Sequence, residues 1–402
     1  MASQQVVSLH FAVRPVVLFK YGGQLLLVFA ILTGVILLFA LLVGEYRLAV
    51  NFGTVVAGTG MAGYFLQRLK APRNLQDNES LVLSAAIFVL APLLLAFPLQ
   101  QSGLPFADAL FEAVSGITTT GLTTLAEVEN RPKTFYFSRA WLQWIGGLGI
   151  VVLSVALLLP RTATLHLFEV RDRDDLVTGT KSYARIVLKI YLLLTGAGIA
   201  ALLLLGIDWL DAVTHVLAGI STGGFSPHDN SLAGLTAWPA RTTVMVICCL
   251  GAVSLGLYYH ALQKGWHTFA ANAEVRGLCV AGGATALLTI LFLVLLDGFS
   301  PPEALRHGLL LAFSAQTTAG FSTVTVADLA PGTKLLLMLA MLTGGNLGST
   351  AGGIKIIRLL IVFKLLRLAI LHSGMASGLE IFAFLVLLYP PTWIGKKRGE
   401  TS

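Results

Sequence analysis

Three short stretches of threonine, serine and glycine recur in this sequence, each directly after an apolar, helix-compatible run. They end in Gly121, Gly224 and Gly320, which lie 103 and 96 residues apart. A glycine permits backbone angles that a β-branched residue resists, so the carbonyl groups of each stretch can turn toward one point. Three occurrences at a nearly constant spacing indicate an internal repeat.

The composition predicts that these stretches lie in a membrane. Of the 402 residues, 56% are hydrophobic and 12% are charged, and the mean hydropathy is +0.81. A soluble protein carries roughly 25% charged residues. Many apolar runs reach the ~20 residues that a helix needs to cross a bilayer. We therefore predict an all-α polytopic membrane protein, and we attribute the net charge of +7 to basic loops rather than to nucleic-acid binding.

Each stretch is predicted to follow a half-helix, which is too short to cross the membrane and lies between two full spans. A glycine-rich stretch at 343–355 disfavours a continuous helix in the last span. Two extra spans are predicted at 21–44 and 48–66, half-helices at 105–117, 209–220 and 301–316, and enclosing spans at 80–99, 135–160, 184–205, 236–262, 278–296 and 333–371.

The basic residues predict the orientation of these spans. With the N-terminus on the cytoplasmic side, 16 Lys and Arg residues fall in cytoplasmic loops and flanks, against 7 on the external side or in half-helices. This bias agrees with the positive-inside rule. All three half-helices then enter from the external side.

A half-helix that ends in a polar loop at membrane depth is tolerated where it lines a water-filled path. Its carboxyl end carries partial negative charge, and several such loops around one axis can replace the hydration shell of a cation with carbonyl oxygens. The sequence therefore predicts a pathway for a dehydrated monovalent cation. The alternative for each single motif is close helix packing through small residues, but three motifs after three half-helices favour the pathway.

Charged residues on the half-helices allow two interpretations. The acidic residues either concentrate cations at the external mouth or are solvated residues of helix starts. For His215 and Arg306, packing or hydrogen bonding is favoured over direct ion handling. The acidic candidates are Asp108, Glu112, Asp208, Asp211 and Glu303.

The glycine-rich stretch predicts a flexible constriction on the cytoplasmic side of the third loop, with a simple kink as the alternative. It lacks the Gly-Lys-Ser/Thr sequence of a phosphate loop. No catalytic set of residues occurs at a plausible spacing anywhere in the sequence. We therefore predict neither an enzyme nor an organic cofactor.

Taken together, these motifs resemble the Trk/Ktr/HKT superfamily of potassium transporters, most closely its TrkH-type membrane subunit. The resemblance implies that K⁺ is the transported ion, that backbone carbonyls form a selectivity filter, and that the glycine-rich stretch is an intramembrane gating loop. The motifs that carry it are Ser115-Gly-Ile-Thr-Thr-Thr-Gly121, Trp141-Leu-Gln-Trp-Ile-Gly-Gly-Leu-Gly-Ile150, Ser221-Thr-Gly-Gly-Phe-Ser-Pro-His-Asp229, Thr317-Thr-Ala-Gly-Phe321 and Gly344-Gly-Asn-Leu-Gly-Ser-Thr-Ala-Gly-Gly-Ile-Lys355.

The resemblance assigns residues to both parts of the site. The candidate filter residues that bind K⁺ are Thr118, Thr119, Thr120, Gly121, Thr222, Gly223, Gly224, Thr318, Ala319 and Gly320. The candidate gating-loop residues are Gly344, Gly345, Asn346, Gly348, Ser349, Thr350, Gly352, Gly353 and Lys355.

The same resemblance implies a setting for the chain. It would be a homodimer in the lipid bilayer of the bacterial cytoplasmic (inner) membrane, with a cytoplasmic N-terminus and a cytosolic nucleotide-binding regulatory subunit. The implied organisation is two N-terminal spans and a cytoplasmic loop in 1–78, pore repeats in 79–170, 171–275 and 276–372, and a remnant of a fourth repeat in 373–402.

The superfamily has four repeats, whereas this sequence shows three. Residues 379–391 resemble the end of the superfamily's last span, and Gly378 stands where an arginine is usual. We therefore expect a chain that lacks most of its fourth repeat, with the join near 372–378, and impaired potassium uptake. The alternatives are a non-transporting membrane protein that packs with other subunits, or a Na⁺-permeable member of the superfamily. A transporter of organic solutes is disfavoured because only Thr, Ser and Gly lie at mid-membrane.

Overall fold

The computed structural model describes residues 13–72, 75–158 and 175–372. Within these ranges the regular elements are helices, apart from an isolated bridge between Thr343 and Ile354. Four of the described helices are long and apolar enough to cross a membrane, and a bent pair would make a fifth span. The prediction of an all-α membrane protein is confirmed. The expected remnant at 373–402 lies outside the described residues.

The chain divides into two compact units. The first comprises the described residues up to Gly146 together with Phe225–Asp229, and the second comprises Gly147–Gly224 and the described residues from Asn230 onward. The helices of the first unit are α1 (Pro15–Leu42), α2 (Tyr46–Leu66), α3 (Asp77–Gln100), the half-helix α4 (Phe106–Ile117) and the beginning of α5 (Lys133–Leu158).

Polar contacts at both ends of the first unit set the alternation of its helices. Arg14, the residue before α1, places Nε and Nη2 each 2.8 Å from a carboxylate oxygen of the fully buried Glu79 in α3. The starts of α1 and α3 therefore lie at one end. At the other end Glu45, between α1 and α2, accepts the backbone N–H groups of Lys133 and Thr134 at 2.8 and 3.0 Å. These contacts fit the predicted order of antiparallel spans.

The second unit contains two half-helices and the spans around them. Both half-helices end at the residues predicted for them. The helices are α6 (Asp175–Leu204), α7 (Trp209–Ile220), α8 (Trp238–Ala252), α9 (Leu255–Lys264), α10 (His267–Ala271), α11 (Ala273–Leu295), α12 (Pro301–Gln316), α13 (Pro331–Leu342) and α14 (Ile356–His372), with 3₁₀ turns at Ser231–Gly234 and Val326–Asp328.

Two of the acidic candidates begin the half-helices of the second unit. Asp208 caps α7, since its carboxylate accepts the N–H of Leu210 at 3.0 Å. Glu303 accepts from Ser300, the residue before α12, through the backbone N–H at 3.3 Å and the hydroxyl at 2.7 Å. Such caps satisfy donors that a helix start leaves unpaired. Of the two interpretations, these contacts favour helix-start residues.

The predicted return span at 236–262 is broken in the structure, because α8 and α9 meet at an angle of 86°. The carbonyl of Ala252 accepts the N–H of Asn346, and the N–H of Leu255 donates to the carbonyl of Gly348, at 3.0 and 3.1 Å. Backbone groups that would continue a helix are thus bonded to the glycine-rich stretch. The sequence has no proline at this point but has Gly251, Ser254 and Gly256, and the broken ends are held by a partner about a hundred residues away.

Candidate functional site

Three loops with one backbone geometry follow the half-helices: loop 1 (118–121), loop 2 (221–224) and loop 3 (317–320). In each loop the second residue is a threonine with positive φ, and the fourth is a glycine with positive φ. The threonine values are 55° at Thr119, 50° at Thr222 and 57° at Thr318, and the glycine values are 77° at Gly121, 84° at Gly224 and 78° at Gly320.

The same two hydrogen bonds close all three half-helices. The threonine N–H donates to the carbonyl three residues earlier, and the following N–H donates to the carbonyl five residues earlier. This is the Schellman arrangement, whose left-handed position is usually glycine. The bonds are Thr119 to Gly116 and Thr120 to Ser115 (3.0 and 2.9 Å), Thr222 to Gly219 and Gly223 to Ala218 (2.9 and 2.8 Å), and Thr318 to Ala315 and Ala319 to Ser314 (both 3.0 Å).

A threonine in the left-handed region was not predicted, since the sequence pattern assigned positive φ to the glycines alone. A non-glycine residue costs roughly 1–2 kcal/mol in this conformation. Strain of this kind persists where the surrounding structure imposes it, and it clusters at functional sites. Among the described residues, no donor contacts the carbonyl oxygens of Thr119, Thr120, Thr318 or Ala319. These oxygens remain able to accept a ligand.

Loop 1 belongs to the first unit and is held by side chains of its own half-helix. The Ser115 hydroxyl donates to the carbonyl of Leu122 at 2.6 Å. Asp108 accepts from the Thr124 hydroxyl at 2.7 Å, and Glu112 accepts from the hydroxyl of Thr123. Both acids therefore support the segment that follows loop 1.

Glu112 is neither a cation attractor at a mouth nor a solvated helix-start residue, so both interpretations of it are wrong. Its side chain is fully buried and lies 2.6 Å from Nε of Arg139 on α5, which is also buried. Arg139 donates to the carbonyl of Ser226 at 3.2 Å, and its guanidinium carbon lies 3.8 Å from the centroid of the Phe225 ring. Glu112 and Arg139 thus join α4, α5 and the segment at 225–229 in one buried network.

Loops 2 and 3 touch each other within the second unit. The Cα of Gly224 lies so close to the carbonyl of Ala319 that a side chain on residue 224 would overlap that oxygen. Just beyond the loops, Leu232 N–H donates to the Ser322 carbonyl at 3.0 Å. His215 is buried, with Nδ1 2.8 Å from the carbonyl of Asp211 and its ring 6.1 Å from that of Phe321. These contacts fit the packing role expected of His215.

The glycine-rich loop (343–355) separates α13 from α14 and is pinched at its base. The N–H of Gly344 donates to the carbonyl of Ile354 at 3.0 Å, and the N–H of Ile354 donates to the carbonyl of Leu342 at 2.8 Å. Lys355 Nζ donates to the carbonyl of Ala351. A side chain on Gly344 would overlap the backbone of Gly352, so the two sides of the base can approach this closely only because residue 344 is glycine.

The glycine-rich loop bonds directly to loop 3 and to the end of α7 just before loop 2, which the sequence did not predict. The Thr350 hydroxyl lies 2.9 Å from the carbonyl of Ile220, the last residue of α7, and 3.0 Å from that of Gly251. The N–H of Gly352 donates to the hydroxyl of Thr318 at 2.7 Å. The loop therefore supports loop 3 and the end of the half-helix that leads into loop 2.

Replacing Thr350 with valine tests this support, since valine keeps the shape and removes the hydroxyl. Losing a hydrogen bond to a buried carbonyl should destabilise the protein by about 1–3 kcal/mol. Thr350→Ser, which keeps the donor, serves as the matched control. Thermal unfolding of the purified variants in detergent should give the serine variant a midpoint temperature near that of the wild type and the valine variant a clearly lower one. Equal midpoints for the two variants would contradict a role for this bond.

Where a half-helix meets its return span, the first two repeats have a close glycine contact and the third repeat has a side-chain hydrogen bond. Gly146 on α5 packs against the carbonyl of Ile117, and Gly251 on α8 packs against that of Ile220, so closely that a side chain would overlap the oxygen. In the third repeat the Gln316 side chain instead bonds to Thr343.

Asn346 of the glycine-rich loop is 1% exposed, and among the described residues neither side-chain atom Nδ2 nor Oδ1 has a hydrogen-bond partner. Its backbone N–H is the group bonded to Ala252. A buried amide of this kind is satisfied by a water molecule or an ion. The structure therefore leaves one polar side chain of the glycine-rich loop available to such a ligand.

Comparison with known proteins identifies the family. The family model described as TrkH, a cation transport protein, matches residues 50–272 and 287–377. The chain belongs to the TrkH family. Its similarity to the potassium transporter TrkH from Vibrio parahaemolyticus, a crystal structure, has a TM-score of 0.78 and 28% sequence identity over 90% of this chain and 77% of that one.

Curated TrkH-family relatives are similar over most of this chain. An uncharacterized cation transporter of Methanocaldococcus jannaschii is 32% identical over 76% of this chain and 62% of its own length. The potassium uptake protein TrkH of Halomonas elongata is 30% identical over 87% of this chain and 71% of its own length. The TrkH of Escherichia coli K12 is 33% identical over 66% of this chain and 56% of its own length. The chain thus spans less than two thirds of the archaeal relative and of the E. coli one.

Proposed function

We propose that the chain is a potassium uptake subunit in which K⁺ binds to backbone carbonyls of loops 1, 2 and 3. The Halomonas and Escherichia relatives are named as potassium uptake proteins, which supports potassium as the ion. The proposed ligands are the carbonyls of the candidate filter residues from Thr118 to Gly121, Thr222 to Gly224 and Thr318 to Gly320. K⁺ is the cargo in this proposal, and no organic cofactor or catalytic step is part of it.

One observation carries the proposal, namely the shared geometry of the three half-helix ends. A strained threonine and a left-handed glycine occupy corresponding positions in all three loops. Close packing through small residues would explain the glycines, but it gives no reason for threonine at the strained position. Turning carbonyls away from the half-helix toward a cation gives such a reason, because the helix end carries partial negative charge.

We further propose that the glycine-rich loop controls the pathway. The residues assigned to it are Gly344, Gly345, Asn346, Gly348, Ser349, Thr350, Gly352, Gly353 and Lys355. Its bonds to Ile220 and Thr318 support this role, since a loop bonded to loop 3 and to the residue before loop 2 cannot move without affecting them.

The remaining proposals concern rate and assembly. The chain has three filter motifs where the superfamily has four, so we propose that its own uptake is impaired. A homodimer in the bacterial inner membrane, with a cytoplasmic N-terminus and a cytosolic nucleotide-binding regulatory subunit, is proposed from the family alone.

Rubidium uptake by potassium-uptake-deficient cells tests the function. Cells that produce this chain should take up Rb⁺ faster than cells with an empty vector, and K⁺ should compete better than Na⁺. The rate should remain below that of cells that produce E. coli TrkH at the same level. Membrane-inserted protein without any uptake would favour the non-transporting alternative, and equal competition by Na⁺ would favour the Na⁺-permeable one. A rate equal to that of E. coli TrkH would contradict impairment.

A further inference from the structure

Glu274 lies in the first turn of α11, directly after the connector 265–272 that follows α9. Asn272 fixes this helix start, because its Oδ1 accepts the N–H groups of Glu274 and Val275 at 2.9 and 3.1 Å. A capped first turn holds the side chains that it carries in a defined direction. Glu274 is therefore presented by a rigid support.

The Glu274 carboxylate bonds to the glycine-rich loop. Its Oε2 accepts the N–H of Leu347 at 2.7 Å, and Lys355, at the end of the loop, attracts the same carboxylate electrostatically. One turn further along α11, the Cβ position of Gly277 is 2.8 Å from the Ile356 side chain at the start of α14. The beginning of α11 thus packs against both the loop and the helix that follows it.

This bond differs in kind from the others that hold the loop. The bonds from Asn346 to Ala252, from Thr350 to Ile220 and from Gly352 to Thr318 join uncharged groups. Among the described residues, Glu274 is the one acidic side chain outside the glycine-rich loop that forms a hydrogen bond with it. Hydrogen bonds to an ionised acceptor are roughly twice as strong as those between neutral groups.

We propose that Glu274 is a positioning residue that tethers the glycine-rich loop against loop 3 and the end of α7. Removing the carboxylate frees the N–H of Leu347 and allows the loop to open more often, while the neutral bonds still return it to its place. The tether does not require potassium transport, and only its effect on ion flux rests on the proposed function.

Hydrogen exchange of the purified full chain in lipid nanodiscs tests the tether. In Glu274→Ala, peptides that cover 343–355 should exchange about tenfold faster than in the wild type, as expected for the loss of a bond to a charged group. Glu274→Gln should fall in between, because its amide oxygen still accepts but carries no charge. Glu127→Gln makes the same chemical change at an exposed carboxylate and should leave the exchange unchanged.

Two outcomes would overturn the tether: unchanged exchange of 343–355 in Glu274→Ala, or an equal increase in peptides from α6 and α11, which would reveal general destabilisation. Rubidium uptake measured on the same variants keeps the two proposals apart. Faster uptake by Glu274→Ala than by the wild type supports the tether and the pathway together. Faster loop exchange in a chain that takes up no Rb⁺ supports the tether and overturns the transport proposal.

Discussion

The Gly224→Ala variant is expected to unfold at a clearly lower temperature than Gly320→Ala, although each change adds one methyl group. Both glycines have positive φ, 84° and 78°, so both variants lose roughly 1–2 kcal/mol to backbone strain. They differ in the space around the new methyl group. At Gly224 it would overlap the carbonyl of Ala319, whereas at Gly320 nothing lies within 4 Å.

The overlap at Gly224 is severe because the obstacle is backbone. A flexible side chain could rotate away, but the Ala319 carbonyl can move only if loop 2 or loop 3 shifts. Overpacking of this kind costs about 1–3 kcal/mol in addition to the strain. The shift would also displace carbonyls that we propose as K⁺ ligands.

Thermal unfolding of the two variants with and without KCl measures both effects. A ligand that binds the folded state raises the unfolding midpoint, so K⁺ should stabilise the wild type and, more weakly, Gly320→Ala. Gly224→Ala should have the lowest midpoint and no response to K⁺. Identical midpoints, or a full K⁺ response in Gly224→Ala, would contradict the close contact between loops 2 and 3.

The Arg139→Met variant is expected to be among the least stable single variants of the first unit. Methionine fills similar space but leaves Glu112 buried without its partner. Breaking a buried ion pair by removing one member costs about 3–5 kcal/mol. The variant also loses the bond to Ser226 and the contact with the Phe225 ring, so the segment at 225–229 should loosen.

Two further variants isolate the buried pair as the cause. Arg47→Met removes an arginine whose 3.4 Å bond to Gln101 is exposed, so it should change stability by no more than about 0.5 kcal/mol. Adding Glu112→Gln to Arg139→Met removes the unpaired charge and should recover part of the loss. Chemical unfolding in detergent would report both. A double variant less stable than Arg139→Met would rule out an unpaired charge as the main cause.

The half-helices could be located from the sequence because their signals are local. The predicted half-helix 105–117 is found as Phe106–Ile117, and the other two begin and end as predicted. A short apolar run, an acidic residue in the first turn and a polar motif at the end are all contained within about fifteen residues. The glycine-rich interruption of the last span is likewise visible in composition.

The support of the loops could not be predicted, because its partners are distant in sequence. The bend between α8 and α9 is held by Asn346 and Gly348, which lie about a hundred residues further along the chain. Glu112 looks like a solvated helix residue until Arg139 is placed beside it. The strained threonines were not predicted for another reason. A β-branched residue disfavours the left-handed region, so the residue type itself argued against positive φ at these positions.

The hydrogen bond of Thr350 to Ile220 joins residues 130 positions apart, which has a consequence for biosynthesis. At the usual translation rate of ~5–20 residues per second, Ile220 is made roughly 6–26 seconds before Thr350. During that interval the carbonyl of Ile220 has no loop to bond to, and unpaired carbonyls are costly within a membrane. The second repeat therefore reaches its final form only after the third has been synthesised. Until then its unpaired carbonyl must be hydrogen-bonded by water or be protected by the insertion machinery.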